Sequence, residues 1–524
     1  MNSVIRAPNN HGQLACDPPL SQLSGMIGTK KIRSQSHEIS SLAREARQDF
    51  LTHLGNRANG LEVDSYWVGT GHQPEIFHPG VWAKNFIAGG ISSRFKSTSL
   101  HLVIDTDCPT QPAIRLPEIG LPERPRKAPW VPFASQNGTT PWKSIKADAN
   151  LAISFREKML AWASQARFGA AMSHWLKHLE LVDSGQASIP AWLHFKKSRS
   201  FLENEWGLLQ ENIPLSFASQ FPSFIKLVAL MICQHELARS TYNESVHFFR
   251  LKHQVNQEGR PVPILGEYSS WLELPLWLRI PENPQRYRFW LRREGAVFFL
   301  TTNPSEDFGK ACRIGKISEI EDGLKNLLAN GWEIWPRALT TTLYLRGFVF
   351  DCFVHGLGGA LYDQVTEDWA MKWLGFMLKP RVAASLTMRL PLPPPRSTKK
   401  ELSQTLHSQH HLMWNPDLLL TNAVDNRLAD CLARLATLRM EKTGQDRHSK
   451  KRFHELRNLI EYLRENVRPA IENGFKNVDT LRRFISEEKM VLSREFAFPL
   501  HSLTDLQKYL RPLLNLRQAA AGVS

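Results

Sequence analysis

Residues 65–105 read SYWVGTGHQPEIFHPGVWAKNFIAGGISSRFKSTSLHLVID, and this stretch sets the fold class. Residues 65–69 are a short apolar run closed by glycine, the pattern of a buried strand. A Gly-His-Gln-Pro loop interrupts it, and residues 81–95 then read as a helix. Residues 99–105 form a second apolar run that ends in acidic side chains. Strand, loop, helix and strand make a βαβ unit, the building block of a parallel sheet covered by helices, so an α/β fold is expected.

Outward from this unit, residues 1–38 are rich in Asn, Ser, Gly, Pro and basic residues without periodicity, and read as a disordered tail. Residues 39–390 are expected to hold the α/β core, with a mostly helical insertion at about 151–260 whose clearest helix is 223–253. Strand-like runs return within 287–301, and 332–373 repeats the order strand, loop, helix. Prolines at 391 and 393–395 cannot continue helix or sheet, which makes 391–400 the linker to a C-terminal region, 401–524. There Val424, Leu428, Cys431, Leu435 and Leu438 are spaced 4-3-4-3, and Phe453, Leu456, Ile460, Leu463 and Val467 are spaced 3-4-3-4. Such heptads predict a helical coiled coil, folded back near Gly444-Gln445-Asp446 or joining two chains.

A chain of 524 residues exceeds one ordinary core, so two or three domains are expected. A net charge of +15 favours anionic ligands, yet the basic residues are spread along the chain, with no zinc-finger, RNA-recognition or basic-zipper spacing. Nucleic acid is therefore not the expected partner. The six cysteines are isolated, without a CxxC pair, which argues against a disulfide framework or a zinc site and for a reducing compartment. No apolar segment is long enough to span a bilayer and the N-terminus lacks a secretion-type apolar region, so a cytoplasmic protein is expected, with no membrane partner.

Glycines between a strand and a helix are suited to holding an anion, because the backbone can approach it and the first amides of the helix are free. Thr70, Gly71, Gln73, His78, Gly80, Lys84 and Asn85 are the candidate anion- or substrate-binding residues of this segment, and His72 a candidate catalytic residue. The histidines read as hydrogen-bonding groups; no third ligand is spaced to make them a metal site. Asp105 and Asp107 fall at the carboxyl end of the next strand, where open α/β sheets place their ligands, and are candidate catalytic residues. A second constellation lies at residues 351–364, where His355 and Asp363 are candidate catalytic groups and Gly356, Gly358, Gly359 and Tyr362 candidate binding groups. Its spacing matches neither GxGxxG nor a P-loop.

Together these two constellations resemble the cysteine-adding enzyme family of bacillithiol synthesis. Residues 70–84 stand where that family has a T-G-Q-Q-x-G-L-F-x-G-P-L-Y-x-x-x-K segment, and His355-Gly356-Leu357-Gly358-Gly359-Ala360 where it has a Gly-Gly-Pro-Gly-Glu loop before a helix. His72 replaces the first Gln of the family's pair, and His78-Pro79 replaces small residues. The resemblance implies a Rossmann-like core with helical insertions and a C-terminal coiled coil that makes a homodimer. It also implies an amide-forming ligase that joins cysteine to an anionic aminosugar-malate acceptor, with ATP or ADP as the candidate nucleotides. Two other functions fit the same residues: nucleotidyl transfer, in which His72 and His78 stabilise a phosphoryl group, and non-catalytic binding of a small anion by a dimer.

Overall fold

The apolar runs around Val68 and Leu100 pair as adjacent parallel strands in a six-stranded sheet. Its strands are β1 (Leu14–Asp17), β2 (Val68–His72), β3 (Ser99–Val103), β4 (Gln210–Pro214), β5 (Cys352–His355) and β6 (Arg381–Leu386). They lie in the order β1-β6-β5-β2-β3-β4. All neighbours are parallel except β1, which runs antiparallel to β6. From β2 the chain moves through β3 to β4, then returns to the other side of β2 to lay down β5 and β6. Strand order thus reverses between β2 and β5, the place where open α/β sheets open a crevice at their carboxyl ends. In this computed structural model the described residues are 6–26, 37–109, 113–117, 119–120, 124–125, 130–134, 138–166, 169–179, 190–255, 262–305, 311–392, 399–420, 425–440 and 447–516.

Helix α1 (Pro79–Ser93) follows β2 and packs across β2, β3, β5 and β6. Proline at its first position costs no hydrogen bond, and His78 caps it by accepting from Gly80 N–H through Nδ1 at 3.1 Å. The helix is apolar nearly all round, as a helix buried on several sides must be. Trp82, Phe86, Ile87 and Ile91 are fully buried, and each contributes about 1.5–3 kcal/mol through burial. Helix α2 (Leu357–Leu374) follows β5 and packs on β5 and β6. A second sheet is antiparallel, in the order Cys312–Lys316, Val297–Thr301, Tyr287–Glu294, Trp271–Arg279, Glu333–Pro336. It contains the strand-like runs expected between residues 287 and 301.

Several boundaries differ from the sequence reading. Within the expected disordered tail, Leu14–Asp17 is an edge strand, because Leu14, Ala15, Cys16 and Asp17 find backbone partners along β6. The helical insertion contains β4, which composition alone disguised, and its clearest helix is two helices, Pro222–Cys233 and His235–His253, broken at Gln234. The strand expected at 65–69 begins at Val68 and runs on to His72, so Thr70 to His72 are strand rather than loop. The chain forms two compact units, one of Met1–Leu116, Pro129–Leu390 and Arg494–Ser524 and one of Pro117–Ala128 and Pro391–Ser493. The longer segment of the second unit starts at the expected linker, but the C-terminal segment from Arg494 returns to the first unit instead of continuing the helical region.

Within the second unit, α3 (Asn426–Met440) and α4 (Arg447–Asn466) carry the two heptad seams. Leu428 and Leu435 of α3 form one apolar cluster with Ile460 and Leu463 of α4, joined by Cys431 and Leu456. Arg427 lies over Tyr462, and Arg434 pairs with Glu455, so the two helices run antiparallel. The heptads therefore meet inside one chain. Val424, residues 393–396 and the turn at 444–446 lie outside the described residues.

Candidate functional site

The carboxyl ends of β2 and β5 and the starts of α1 and α2 enclose a cleft of about 660 Å³ in the first unit. Of the expected site residues, Gly71, His72, Gln73, His78, Gly80, Lys84, His355, Gly356, Gly358, Gly359, Tyr362 and Asp363 line it. Two segments nearly 300 positions apart in sequence (a difference of 284 between Thr70 and Val354) are thus neighbours, because β2 and β5 are adjacent strands. Leu339, Leu345 and Phe353 give the cleft an apolar wall.

Four expected residues serve the scaffold instead. Thr70 is fully buried and donates to Val354 O at 2.8 Å, tying β2 to β5. Asn85 points to the far side of α1, where its amide donates to Glu203 at 3.0 Å. Asp105 accepts from Ser216 N–H at 2.9 Å and Ser216 Oγ at 2.6 Å, fastening the end of β3 to the chain after β4. Asp107 pairs with Arg286 at 2.8 Å and accepts from Gln73 Nε2 at 3.0 Å, so it holds the loop rather than a ligand. Gly69 faces the Phe350 ring, where a Cβ would come within 2.5 Å, and so admits packing rather than a ligand.

Lys84 is buried at 2% exposure, and its Nζ donates to Gly71 O at 2.9 Å. Among the described residues it has no carboxylate partner, and burial pushes its ammonium down to about 7. A buried cation with only a neutral acceptor is unusual, because an unpaired charge in low dielectric is costly. Beside it, α2 begins at Gly356 with no side-chain cap, so the amides of Leu357, Gly358 and Gly359 are the free donors of an 18-residue helix. A Cβ at Gly358 would meet nothing within 4 Å, which shows open space before these donors. Lysine and helix terminus together suit an anion.

The histidines are neutral and differ in tautomer. Burial, aided by the charge of Lys84, pushes His72 down to about 3, and burial with Arg494 pushes His78 to about 3. His72 Nδ1 lies 3.0 Å from Gln73 O, which must accept, so Nε2 is left as a lone pair. His78 Nδ1 accepts from Gly80, so its Nε2 carries the proton. One therefore offers an acceptor and the other a donor.

His355 Nε2 lies 3.1 Å from Asp363 Oδ2. Asp363 also takes Arg346, and Arg381 lies 3.6 Å away. Burial raises the Asp363 carboxyl, but His355, then Arg346 and Arg381, outweigh it and hold the group below its usual value. Burial lowers His355 despite Asp363, so the ring is neutral at pH 7; Nε2 lies beside the carboxylate without completing a hydrogen bond to it, and a proton carried there leaves Nδ1 as the base. Nδ1 is 3.2 Å from where a Cβ of Gly359 would stand, on the cleft side of the first turn of α2.

Sequence reasoning missed Arg346, Ser385 and Arg494. Arg346 has a signal in hindsight, since a buried arginine must meet an acid and Asp363 was already singled out. Ser385 and Arg494 line the cleft from β6 and from the returning C-terminal segment, neither of which carries a motif. Among the described residues no group of three His, Cys, Asp or Glu side chains is placed to hold a metal, and no helix is long and apolar enough to cross a membrane. No protein-family model matches the chain, and no curated protein matches it.

Proposed function

We propose that this cleft binds an anionic small molecule and that the protein is an amide-forming enzyme. The observation that carries the reading is Lys84: a buried cation whose only hydrogen-bond acceptor among the described residues is a carbonyl, beside the uncapped start of α2 and the His355–Asp363 pair. An anionic group of the substrate supplies the missing countercharge. His355 Nδ1 takes the proton of an attacking amine, whose nitrogen must lose it to attack a carbonyl. Asp363 keeps the ring in the required tautomer. The amides of Leu357 to Gly359 face negative charge developing on the carbonyl oxygen.

The order of the five parallel strands, with the cleft at its reversal, supports a Rossmann-like core. With the family resemblance, this gives the particular reaction: cysteine joined through its carboxyl, delivered in activated form, to the amine of an aminosugar-malate acceptor. ATP or ADP is the nucleotide to test for that activation. Nucleotidyl transfer asks both loop histidines to donate to a phosphoryl group, and His72 presents a lone pair instead. A homodimer through the helical unit would use a surface other than the α3–α4 seam, which Leu428, Leu435, Ile460 and Leu463 already occupy. Purified protein with cysteine, glucosaminyl-malate and either nucleotide should yield the amide by mass spectrometry, and His355→Gln should not. Calorimetric binding of the acceptor without product from any nucleotide would leave a binding protein and overturn the enzyme reading.

A further inference from the structure

The cleft has a second cationic end. Arg494 lines it, with Nη2 donating to Ser385 Oγ, while Nη1 is buried with no hydrogen-bond partner among the described residues. Ser385 Oγ donates in turn to Gly80 O at 3.4 Å, so its lone pairs are free to orient the guanidinium without neutralising it. Glu495 also lines the cleft and stabilises the charge, but among the described residues no carboxylate forms an ion pair with Arg494. His78 completes the group. A Cβ placed on Gly80 would stand 2.6 Å from Arg494 Nη2 and 2.7 Å from His78 Cε1, so the two side chains converge over that glycine. The neutral His78 ring directs an N–H donor from Nε2.

We propose that Arg494, Ser385 and His78 form an anion subsite separate from that of Lys84, so that the cleft selects substrates carrying two anionic groups. A purely structural role for Arg494, pinning the returning segment to β6, needs only the bond from Nη2 to Ser385. It leaves Nη1 desolvated and unsatisfied, which is costly for a charged donor. An arginine with one arm fixed, the other unpartnered and no carboxylate on its charge is the arrangement that receives a carboxylate or phosphate oxygen. Spacing sets the selection. Gly80 and Lys84 are one turn apart on the same face of α1, about 6 Å along the axis, which suits a short dicarboxylate or a pyrophosphate better than a single anion. This inference rests on the reading of Lys84 as an anion site and adds a second contact to it.

Titration calorimetry at pH 6.5 with acetate, succinate, phosphate and pyrophosphate tests it. Wild type is expected to bind succinate over acetate, or pyrophosphate over phosphate, by at least tenfold, and the preferred pair tells carboxylate from phosphate. Arg494→Gln should abolish that preference while leaving the single anion's affinity unchanged, and Arg494→Lys should restore part of it. Equal losses for single and double anions in Arg494→Gln, or no loss, would overturn the subsite. Should Arg494→Gln not fold, Ser385→Ala and Arg494→Lys read the same ratio, and an unchanged ratio in both overturns it. If wild type binds no anion at all, the Lys84 reading fails; if it binds single anions without preference, only the second subsite does.

Discussion

Lys84 donates to the carbonyl of Gly71 at 2.9 Å, and this bond ties the first turns of α1 back to the strand that precedes it. A carbonyl orients the ammonium but leaves its charge uncompensated. Affinity for an anion and stability of the empty protein are therefore opposed at one residue.

The opposition has a sign. An unfolded lysine titrates near 10.5, and Lys84 in the fold near 7. Between these values the unfolded chain holds more protons, so stability rises with pH across that window. Lys84→Met should be more stable than wild type at pH 7, by several kcal/mol in urea titrations, with the gap closing towards pH 10.5. Acetate affinity should behave oppositely. It should be highest below pH 7 and fall about tenfold per pH unit above it, since only the charged form binds. Acetate binding that is independent of pH from 6 to 9 would remove Lys84 from the site.

Two glycines of the cleft separate packing from binding. A methyl on Gly80 would stand 2.3 Å from Leu386 O, a backbone atom that cannot swing away. Gly80→Ala should therefore lose about 1–3 kcal/mol through overpacking. Gly358 has open space around it, and alanine there should leave thermal stability unchanged or raise it by up to about 1 kcal/mol. Gly358 lines the cleft at the first turn of α2, so a methyl there takes ligand space and Gly358→Ala should weaken phosphate binding several-fold. Full phosphate affinity in that variant would show that the amides do not face the ligand.

The cleft was legible because its parts sit at strand–helix junctions, which glycine, proline and apolar runs mark locally. Strand adjacency was not, since nothing local to residues 68–72 announces Cys352 as a partner; only the coincidence of two glycine-rich junctions hinted at it. Asp105 shows the limit from the other side. An acid at the carboxyl end of a strand has the same signature whether it faces a ligand or caps the next turn, and here Ser216 takes it. Arg494 had no signature at all, because its role depends on where the chain goes after the helical region. The heptads of α3 and α4 fixed which faces are apolar and left open whether they meet within a chain.

Asp105→Asn tests that division between scaffold and site. The variant should keep wild-type anion affinity while losing about 1–3 kcal/mol, because one of the two bonds from Ser216 weakens. Burial raises the Asp105 carboxyl from 3.8 to about 6, so the folded chain holds the extra proton between those values and stability falls as pH rises through them. The advantage of wild type over the variant should accordingly shrink from pH 4 to pH 6 in urea titrations. Loss of anion binding without loss of stability would return Asp105 to the site.

Asp363 is the one expected catalytic acid that the fold places in the cleft, and it is also the hub of a buried charge cluster. Replacing it with Asn takes away the buried partner of Arg346, at 2% exposure, and leaves the more exposed Glu367 at 2.9 Å, so the loss should approach but not exceed that of a fully broken buried pair, about 3–5 kcal/mol. The carboxyl is held below 3.8, so its stabilising effect is present above that value and is lost as pH falls below it. Asp363→Asn should thus be less stable than wild type at pH 7, and the gap should narrow as pH falls below 3.8. His355→Gln keeps the Arg346 pair and should lose less, about 1–2 kcal/mol, while removing the base. Measured together, the variants divide the roles: activity lost in both, stability lost mainly in Asp363→Asn. Equal stability of Asp363→Asn and wild type at pH 7 would mean that the cluster does not hold the site together, and His355 would have to be oriented by something else.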